Sequence, residues 1–306
     1  MEIFELKTMQ RCEIPADEST VVALGTFDGC HKGHLSVFSS ALRLAFSLKA
    51  KSVVYTFSSL PMTKAGARCI FSLDEKVKFV KALGFDYICI EDFSEVSNLS
   101  GEEFYSSILK GSLHSVACSC GFNFKFGKNG ACLAQDLARF YENDGGRVHI
   151  CEKIEVDCVP ISSTLLREFI ENGECEKLLN LSQPYSIYAR VFEGKHLGRT
   201  IGIPTINQYI PRDKVVPKKG VYITECEIGE DVYPAITNVG VRPTTDPEGS
   251  PENIETHIIG YDGILYGSFV RVNFYKRLRD EIKFSSIDEL KRQIELDIQE
   301  SVKYFK

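Results

Sequence analysis

The chain has 306 residues, a formal net charge of −6, and 43% hydrophobic and 25% charged residues. The length exceeds one typical domain and predicts two, and the composition is that of a soluble globular protein. No apolar run approaches the roughly 20 residues that cross a bilayer, and the first residues lack the pattern of a secretory signal. We expect a cytoplasmic protein with no membrane partner, no nucleic-acid partner and no obligate protein partner.

The eleven cysteines are scattered from Cys12 to Cys226 with no Cys-x-x-Cys pair. Cys118 and Cys120 are the only close pair. Apolar neighbours, such as those around Cys89, are typical of small core residues in a reducing compartment. The spacing therefore favours neither a disulfide framework nor a zinc site.

The first half of the chain alternates short apolar runs with amphipathic ones. Capping boxes open two helices at Ser72 and Ser100, and we expect Gly84 and Gly111 to end them. The apolar runs predict five strands, at Val21–Leu24, Ser52–Phe57, Tyr87–Ile90, Ser115–Cys118 and Val148–Cys151. This alternation predicts an α/β domain with a parallel sheet and helices on both faces. Ligands of such sheets bind at the carboxyl ends of the strands.

The pattern changes near residue 182, which predicts domains at 1–182 and 183–306. Short β-rich runs then alternate with turns, at Ser186–Phe192, Val221–Ile228, Tyr233–Val239, Ile254–Ile259 and Phe269–Tyr275. This spacing predicts a small antiparallel β-barrel. A terminal helix capped by Ser286 follows. Its apolar stripe is expected to pack rather than to bind a ligand, and consists of Ile287, Leu290, Ile294, Ile298 and Val302.

The ten residues Gly25–His34 lie between a predicted strand and a predicted helix. His31 and His34 are three apart at the start of that helix, so they share one face. Free backbone N–H groups and the positive end of the helix dipole meet there, which favours an anionic phosphate. Imidazoles add hydrogen bonds without the standing charge of lysine.

A second element, Ile161–Arg167, also runs into a predicted helix. Three neighbouring hydroxyls, on Ser162, Ser163 and Thr164, offer caps and anion donors, and Arg167 lies one turn further on. A plain serine cap with a surface arginine is the alternative interpretation. The presence of both elements in one α/β domain favours phosphate binding.

These two elements resemble the GxFDGxHxGH signature and the (K/I)SSTxxR element of the nucleotidyltransferase superfamily. The resemblance implies a Rossmann-like nucleotidyltransferase fold in which His31 and His34 stabilise the transition state. It also implies a set of ATP and phosphate ligands: Gly25, Phe27, Asp28, Gly29, Ser162, Ser163, Thr164 and Arg167. For Asp28, a structural role in the turn is an equal alternative.

The segment Cys120–Gly127 is similar to the GxDFxFG segment of bacterial FAD synthetases. The resemblance implies that Asn123 and Phe124 bind flavin, and a packed aromatic cluster is the alternative. The histidine of that family's TFxPHP-like segment is missing from Thr56–Pro61. A positioned donor contributes roughly 2.7–4 kcal/mol to a transition state. We therefore expect a weaker adenylyl transfer, unless Ser58 and Ser59 substitute in part.

The second domain opens with a string that is rich in glycine, Val191–Asn207. Its glycines, Gly194, Gly198 and Gly202, loosen a loop that could close over a nucleotide. Thr205 and Asn207 are two apart, so on an extended segment they point the same way. Their hydroxyl and amide oxygens are hard ligands suited to Mg²⁺. A glycine–proline turn that leads into a barrel strand is the alternative.

This string resembles the G-x-x-x-G-x-x-x-G-x-PTAN region of riboflavin kinases. Five further matches follow in order, at Gly220–Tyr222, Asn238–Thr244, Ile254–His257, Leu265–Gly267 and Leu278–Phe284. The resemblance implies that Glu255 is the general base and that Arg279 contacts flavin. A base that takes the proton of an alcohol contributes roughly 10²–10⁴ in rate. Arg242 either positions phosphate or binds backbone carbonyls.

The chain is thus identified as a member of the prokaryotic bifunctional riboflavin kinase/FAD synthetase family over nearly its whole length. The resemblance implies phosphorylation of riboflavin to FMN, then adenylylation of FMN to FAD. It implies ATP as co-substrate, Mg²⁺ as cofactor, and FMN or FAD as product and bound ligand. The alternatives are a riboflavin kinase with a weak or inactive adenylyltransferase domain, a relative of aminoacyl-tRNA synthetases and a non-catalytic flavin-binding protein.

Overall fold

The computed structural model describes residues 2–6, 14–58, 60, 68–156, 158–194, 198, 201–241 and 252–306. Its contacts divide the chain into two compact units, Met1–Ser163 and Thr164–Lys306. Among the described residues, no helix combines the length and the apolar character needed to span a membrane. The expected boundary at residue 182 stays a prediction.

The first unit is built on a six-stranded sheet in the order β1-β4-β3-β2-β5-β8, with every neighbouring pair parallel. Two short hairpins, β6–β7 and β9–β10, lie outside it. The strands of this unit are β1 Glu2–Leu6, β2 Thr20–Leu24, β3 Lys51–Phe57, β4 Tyr87–Glu91, β5 Ser115–Gly121, β6 Lys125–Phe126, β7 Cys132–Leu133, β8 Arg147–Cys151, β9 Glu155–Val156 and β10 Val159–Pro160. All five predicted strands are confirmed, whereas β1 and the four short strands of the two hairpins were not predicted.

Helices cover both faces of this sheet, as predicted. One apolar cluster joins α5 and a π-helix to Leu24 and Tyr55, and α1 contacts the same strands outside that cluster. The helices are α1 Lys32–Leu48, α2 Leu73–Ala82, α3 Phe93–Val96, α4 Gly101–Glu103 continued by the π-helix Phe104–Ser112, α5 Ala134–Asn143 and α6 Ser163–Asn172. Most of α6 belongs to the second unit.

Both predicted capping boxes are present, with Ser72 and Ser100 as caps. The prediction that Gly111 ends its helix was wrong, because the π-helix runs through it to Ser112. Gly111 has no positive φ, so it does not adopt the left-handed conformation that ends a helix at glycine.

The strand order creates a crevice beside the central strand β2. Its neighbours β3 and β5 lie on opposite sides of it, so the strand order reverses at this point. The segment Gly25–His34 leaves the carboxyl end of β2, and Phe122–Phe124 leaves the carboxyl end of β5. Parallel sheets bind ligands at such a reversal. Two segments expected to bind substrates therefore emerge side by side.

The second unit contains a closed six-stranded barrel in the order β11-β12-β15-β14-β13-β16, with antiparallel pairing throughout. The strands are β11 Tyr185–Phe192, β12 Ile206–Tyr209, β13 Gly220–Ile228, β14 Asp231–Val241, β15 Glu252–Ile258 and β16 Phe269–Arg279. The barrel was predicted, although β12 was not predicted as a separate strand. A buried chain of hydroxyls joins Thr224, Thr237 and Thr256 across three of the strands.

The terminal helix α7, Ile287–Tyr304, is capped by Ser286 as expected. The residues it buries fully are Asp297 and Ser301. Four of the five stripe residues are half-buried, and Ile287 at the start of the stripe is 60% exposed. The stripe therefore packs as expected except at its first residue.

The described cysteines are free thiols, and most are buried. Cys89 and Cys118 lie in the apolar cluster of the first unit, as expected for small core residues. Burial raises the pKa of Cys120 to about 12, so its thiol stays protonated at neutral pH.

Candidate active sites

The turn Gly25–His34 connects β2 to α1 by an unusual backbone path. Phe27, Gly29 and Cys30 all have positive φ, at 51°, 79° and 38°. A Cβ on Gly25 would lie 2.8 Å from the ring of Phe27, so only glycine fits there. Phe27 is fully buried. Its side chain therefore holds the turn in place, and its contact with phosphate stays a prediction.

Asp28 ties this turn to a distant segment. It is 2% exposed, and its Oδ1 accepts hydrogen bonds from the backbone N–H groups of Ile70 at 2.8 Å and Phe71 at 3.0 Å. Its backbone carbonyl accepts a hydrogen bond from Ser163 Oγ at 2.8 Å. These contacts support the structural alternative for Asp28. They also bring the two predicted phosphate-binding elements together through Ser163.

The two histidines stack on each other at the start of α1. His31 is the N-cap residue and makes no capping hydrogen bond, and its ring lies 3.7 Å from that of His34 at 20°. A Cβ on Gly33 would lie 3.0 Å from the His31 ring, which explains a glycine between them. The first turn of α1 carries no acidic side chain that would compete with an anion.

Both imidazoles are neutral at pH 7. Burial lowers the pKa of His31 to about 4. Burial, then the nearby His31 and the charge of Lys76, lower the pKa of His34 well below its usual value. Both Nδ1 atoms are buried and have no hydrogen-bond partner in the described part of the chain. A neutral imidazole can donate one N–H to a phosphoryl oxygen, so the pair fits that use.

Lys76 is a functional candidate that the sequence did not indicate. It is 5% exposed on α2, and its Nζ donates hydrogen bonds to Phe57 O at 3.1 Å and Thr56 Oγ1 at 3.2 Å. It therefore places a cation at the segment that lacks the family's histidine. A lysine on an amphipathic helix is usually exposed, so no sequence signal was available. Ser58 is exposed, and Ser59 lies outside the described residues.

The segment expected to bind flavin combines both interpretations. Phe126 is 6% exposed and packs on Phe104, with ring centroids 5.7 Å apart, as the aromatic-cluster alternative requires. Asn123 is exposed and Phe124 is half-buried, on the turn that follows β5. These two residues therefore remain accessible to a ligand. Thr164 and Arg167 lie on α6 in the second unit, and their phosphate contacts stay predictions.

In the barrel, strand pairing builds a row of side chains from distant parts of the sequence. Asn207 on β12 faces Glu255 on β15, and Glu255 faces Asn238 on β14. Asn238 in turn faces Val221, which faces Arg279 on β16. Directly opposite residues of antiparallel strands share one face of a sheet. The row thus joins the expected metal ligand, base and flavin contact across five strands.

Next to this row lies a cavity of about 440 Å³. It is lined by Glu255, Asn238 and Arg279 and by apolar side chains, among them Phe284, Leu290 and Ile294. The last two belong to the stripe of α7, and the expectation that this stripe only packs stays a prediction.

Both residues expected to hold a metal line a second, smaller pocket, and one of them also lines this cavity. Thr205 lines both the large cavity and a second pocket of about 50 Å³, which Asn207 also lines. Asn207 is 4% exposed, and its Oδ1 has no hydrogen-bond partner among the described residues. An unsatisfied buried amide oxygen beside a hydroxyl fits Mg²⁺. No cluster of three His, Cys, Asp or Glu side chains in the described ranges could hold a metal.

The glycines near these oxygens have a different role from the expected one. A Cβ on Gly194 would lie 2.4 Å from Asn207 Nδ2, and one on Gly198 would lie 2.3 Å from Ile203 O. Close packing therefore requires glycine at both positions, and the looseness of the loop does not explain them. Gly202 has a φ of +79° and open space around it.

Asp297 is a second residue that the sequence did not indicate. It is 4% exposed on α7 and accepts hydrogen bonds from Arg279, at 2.6 Å from Nη2 and 3.1 Å from Nε. Gln293 Nε2 donates to the same carboxylate at 3.0 Å. This pair fixes the guanidinium at the cavity wall. An acidic residue on a helix with an apolar stripe suggests an exposed position, which explains the omission. Arg242 lies outside the described residues.

Comparison with known proteins matches each half of the chain separately. Residues 13–165 match the FAD synthetase family, and residues 181–305 match the riboflavin kinase family. A bifunctional riboflavin kinase/FMN adenylyltransferase of Bacillus subtilis is 35% identical over 94% of this chain and 92% of its own. The enzyme of the same name from Haemophilus influenzae is 32% identical over 94% of this chain and 95% of its own.

A solved structure has the same fold over nearly its whole length. It is described as a macrolide-efflux protein from Streptococcus pneumoniae, with a TM-score of 0.86, 30% identity and coverage of 97% of both chains. Two relatives above 30% identity that span almost the complete chain establish its membership. The chain belongs to the family of bifunctional riboflavin kinase/FMN adenylyltransferases.

Proposed function

We propose that this chain phosphorylates riboflavin to FMN in its second unit and adenylylates FMN to FAD in its first. ATP would donate its γ-phosphoryl group in the first reaction. In the second reaction ATP would donate its adenylyl (AMP) group. The row Asn207–Glu255–Asn238–Val221–Arg279 carries the kinase half, because strand pairing aligns a metal ligand with a carboxylate and a cation that line the large cavity.

The cavity beside the row suits riboflavin. Its volume of about 440 Å³ lies within the ~300–1,000 Å³ range of small-molecule sites. Phe284, Leu290 and Ile294 offer apolar surface to the isoalloxazine ring, and Arg279 offers hydrogen-bond donors to its carbonyl oxygens. The ribityl chain would then run along the row, with its terminal hydroxyl near Glu255.

Phosphoryl transfer to that hydroxyl needs a proton acceptor and charge neutralisation. Glu255 would accept the proton of the hydroxyl as its oxygen attacks the γ-phosphorus and ADP leaves. Thr205 and Asn207 would hold Mg²⁺, which neutralises charge on the phosphates. Thr205 lines both pockets, which supports a nucleotide on one side of it and flavin on the other.

In the first unit, an FMN phosphate oxygen would attack the α-phosphorus of ATP, and pyrophosphate would leave. The neutral rings of His31 and His34 would donate hydrogen bonds to the oxygens that gain charge in the transition state. Backbone N–H groups at the start of α1 would add to this. Ser162 and Ser163 would hold the leaving pyrophosphate.

Adenylyl transfer at a reduced rate fits the missing histidine. Lys76 supplies a buried positive charge near Thr56 and Phe57, and this charge supports transfer without that histidine. The flavin of this step would contact Asn123 and Phe124, which emerge next to the histidine turn.

The test is a time course with riboflavin, ATP and Mg²⁺, with separation of the flavins. FMN should form first and FAD should follow. If FMN accumulates without FAD, and a reaction started with FMN also yields no FAD, the adenylyltransferase half is rejected. No product from riboflavin would reject the kinase half. A parallel reaction with EDTA in place of Mg²⁺ should form neither product.

A further inference from the structure

In the side-chain amide of Asn238, the nitrogen makes a hydrogen bond and the oxygen makes none in the described part of the chain. Its Nδ2 donates a hydrogen bond to Glu281 Oε1 at 3.1 Å. Its Oδ1 is buried and has no hydrogen-bond partner in the described part of the chain. The residue lines the large cavity and lies next to Glu255 in the row. Buried carbonyl oxygens are nearly always paired, so a partner from a ligand is expected.

Glu281 determines which way this amide points. A carboxylate oxygen can only accept a hydrogen bond, so the nitrogen of Asn238 must face it and the oxygen must face away. Gly240 leaves room for the pair, since a Cβ there would lie 3.0 Å from Glu281 Oε1 and 3.4 Å from Asn238 Nδ2. Glu281 therefore holds the amide oxygen in one orientation, on a residue that lies beside the proposed base.

A fixed acceptor needs a donor from the substrate. The isoalloxazine ring of riboflavin has a single N–H, whereas the ribityl chain carries a hydroxyl on each carbon beyond the first. Residues opposite each other on antiparallel strands have Cα atoms about 4.5–5.5 Å apart. With the terminal hydroxyl at Glu255, Asn238 thus lies within the span of the secondary hydroxyls along the chain.

We propose that Asn238 Oδ1 accepts a hydrogen bond from a secondary hydroxyl of the ribityl chain, and that it selects flavins with a hydroxylated side chain. This inference rests on the kinase activity proposed above. It assigns to Asn238 a role in specificity, and to Glu281 a positioning role that acts through Asn238. A hydrogen-bond acceptor with a fixed orientation disfavours a substrate that lacks the matching hydroxyl, because the acceptor then stays unpaired.

The test combines a variant with substrate analogues. Asn238→Leu keeps the approximate size of the side chain and removes the acceptor. Riboflavin is compared with its 2′-, 3′- and 4′-deoxy analogues in both proteins. In the unaltered protein, one analogue should lose roughly 10- to 100-fold in kcat/KM. In Asn238→Leu, riboflavin should fall to the level of that analogue, and the difference between the two should vanish.

The same experiment controls for misfolding. The variant should still phosphorylate the critical deoxy analogue, which only a folded barrel allows. Glu281→Gln gives a second variant, because glutamine can donate or accept and thus permits the amide of Asn238 to flip. It should weaken the discrimination between riboflavin and that analogue.

Two results would overturn the inference. One is discrimination that stays unchanged in both Asn238→Leu and Glu281→Gln. The other is an unaltered protein that accepts riboflavin and all three analogues equally well. In either case riboflavin is still phosphorylated, so the proposed kinase activity would stand. Failure of the unaltered protein to phosphorylate riboflavin would instead reject the activity itself.

Discussion

The two candidate sites are built in opposite ways. The first uses ten consecutive residues, Gly25–His34, whose geometry follows from one turn and the start of one helix. The second draws single residues from five strands, and only barrel pairing brings them into a row. A local site depends on backbone conformation and caps. A dispersed site depends on register, since a one-residue slip would turn its side chains to the other face.

The largest effect should come from removal of the proposed base. Glu255→Gln should lower riboflavin phosphorylation by roughly 10²–10⁴ and leave FMN adenylylation unchanged, because the base acts in one unit only. Glu230→Gln, on an exposed turn of the barrel, is the matched control. Equal loss of both reactions would mean that the two sites are not independent.

A change in the local site should lower adenylylation and leave phosphorylation unaffected. His34→Ala should lower adenylylation by about 10²–10³, because a donor to the transition state is lost, and should leave phosphorylation unchanged. His149→Ala, an exposed histidine on β8 of the same unit, controls for surface effects. An adenylylation rate that survives His34→Ala would contradict the assigned role.

A third change tests how far the dispersed site depends on α7. Asp297→Asn removes the buried partner of Arg279, and breaking such a pair costs roughly 3–5 kcal/mol when it is fully buried. We expect about 2–3 kcal/mol here, since the arginine side chain is 18% exposed. Urea unfolding measures the loss, with Glu300→Gln on the same helix as control. A higher KM for riboflavin should accompany it.

The smallest effect concerns pH and the local site. The folded pKa of His31 is about 4, below its usual 6.5, so stability from the neutral ring is lost as pH falls from 6.5 towards 4. Burial raises the pKa of Glu91 to about 7 from 4.5, so this group adds stability as pH falls through the same range. Between pH 7 and pH 5.5 each contributes on the order of 1 kcal/mol, with opposite signs.

Burial also lowers the pKa of His34, so this ring adds a second loss in the same direction, and the unaltered protein should lose a little stability over this interval. Glu91→Gln should lose about 1 kcal/mol more than the unaltered protein on acidification, because the loss from the histidines is no longer opposed. Urea unfolding at both pH values, followed by far-ultraviolet circular dichroism, gives the difference. If the free energy of unfolding of Glu91→Gln is higher at pH 5.5 than at pH 7, the histidines are not held neutral in the folded protein.

Local patterns predicted the elements well. Apolar runs located the strands, and the capping boxes at Ser72 and Ser100 located helix starts, because both signals depend on neighbouring residues. The end of the helix near Gly111 was wrong, since a glycine ends a helix only where its backbone turns left-handed. On α7 the first residue of the predicted apolar stripe, Ile287, is exposed, because tertiary packing determines how far along the helix the covered side extends.

The sequence by itself determined the family, the fold of each half and the residue types at each site. Motifs carry this information because their functional residues lie close together along the chain. Tertiary structure alone decided which residues meet. It paired Asp297 with Arg279, buried Lys76 at Thr56 and turned the oxygen of Asn238 away from Glu281. Each of these contacts joins elements separated by many residues. Their partners depend on sheet register and helix packing, which no short segment specifies.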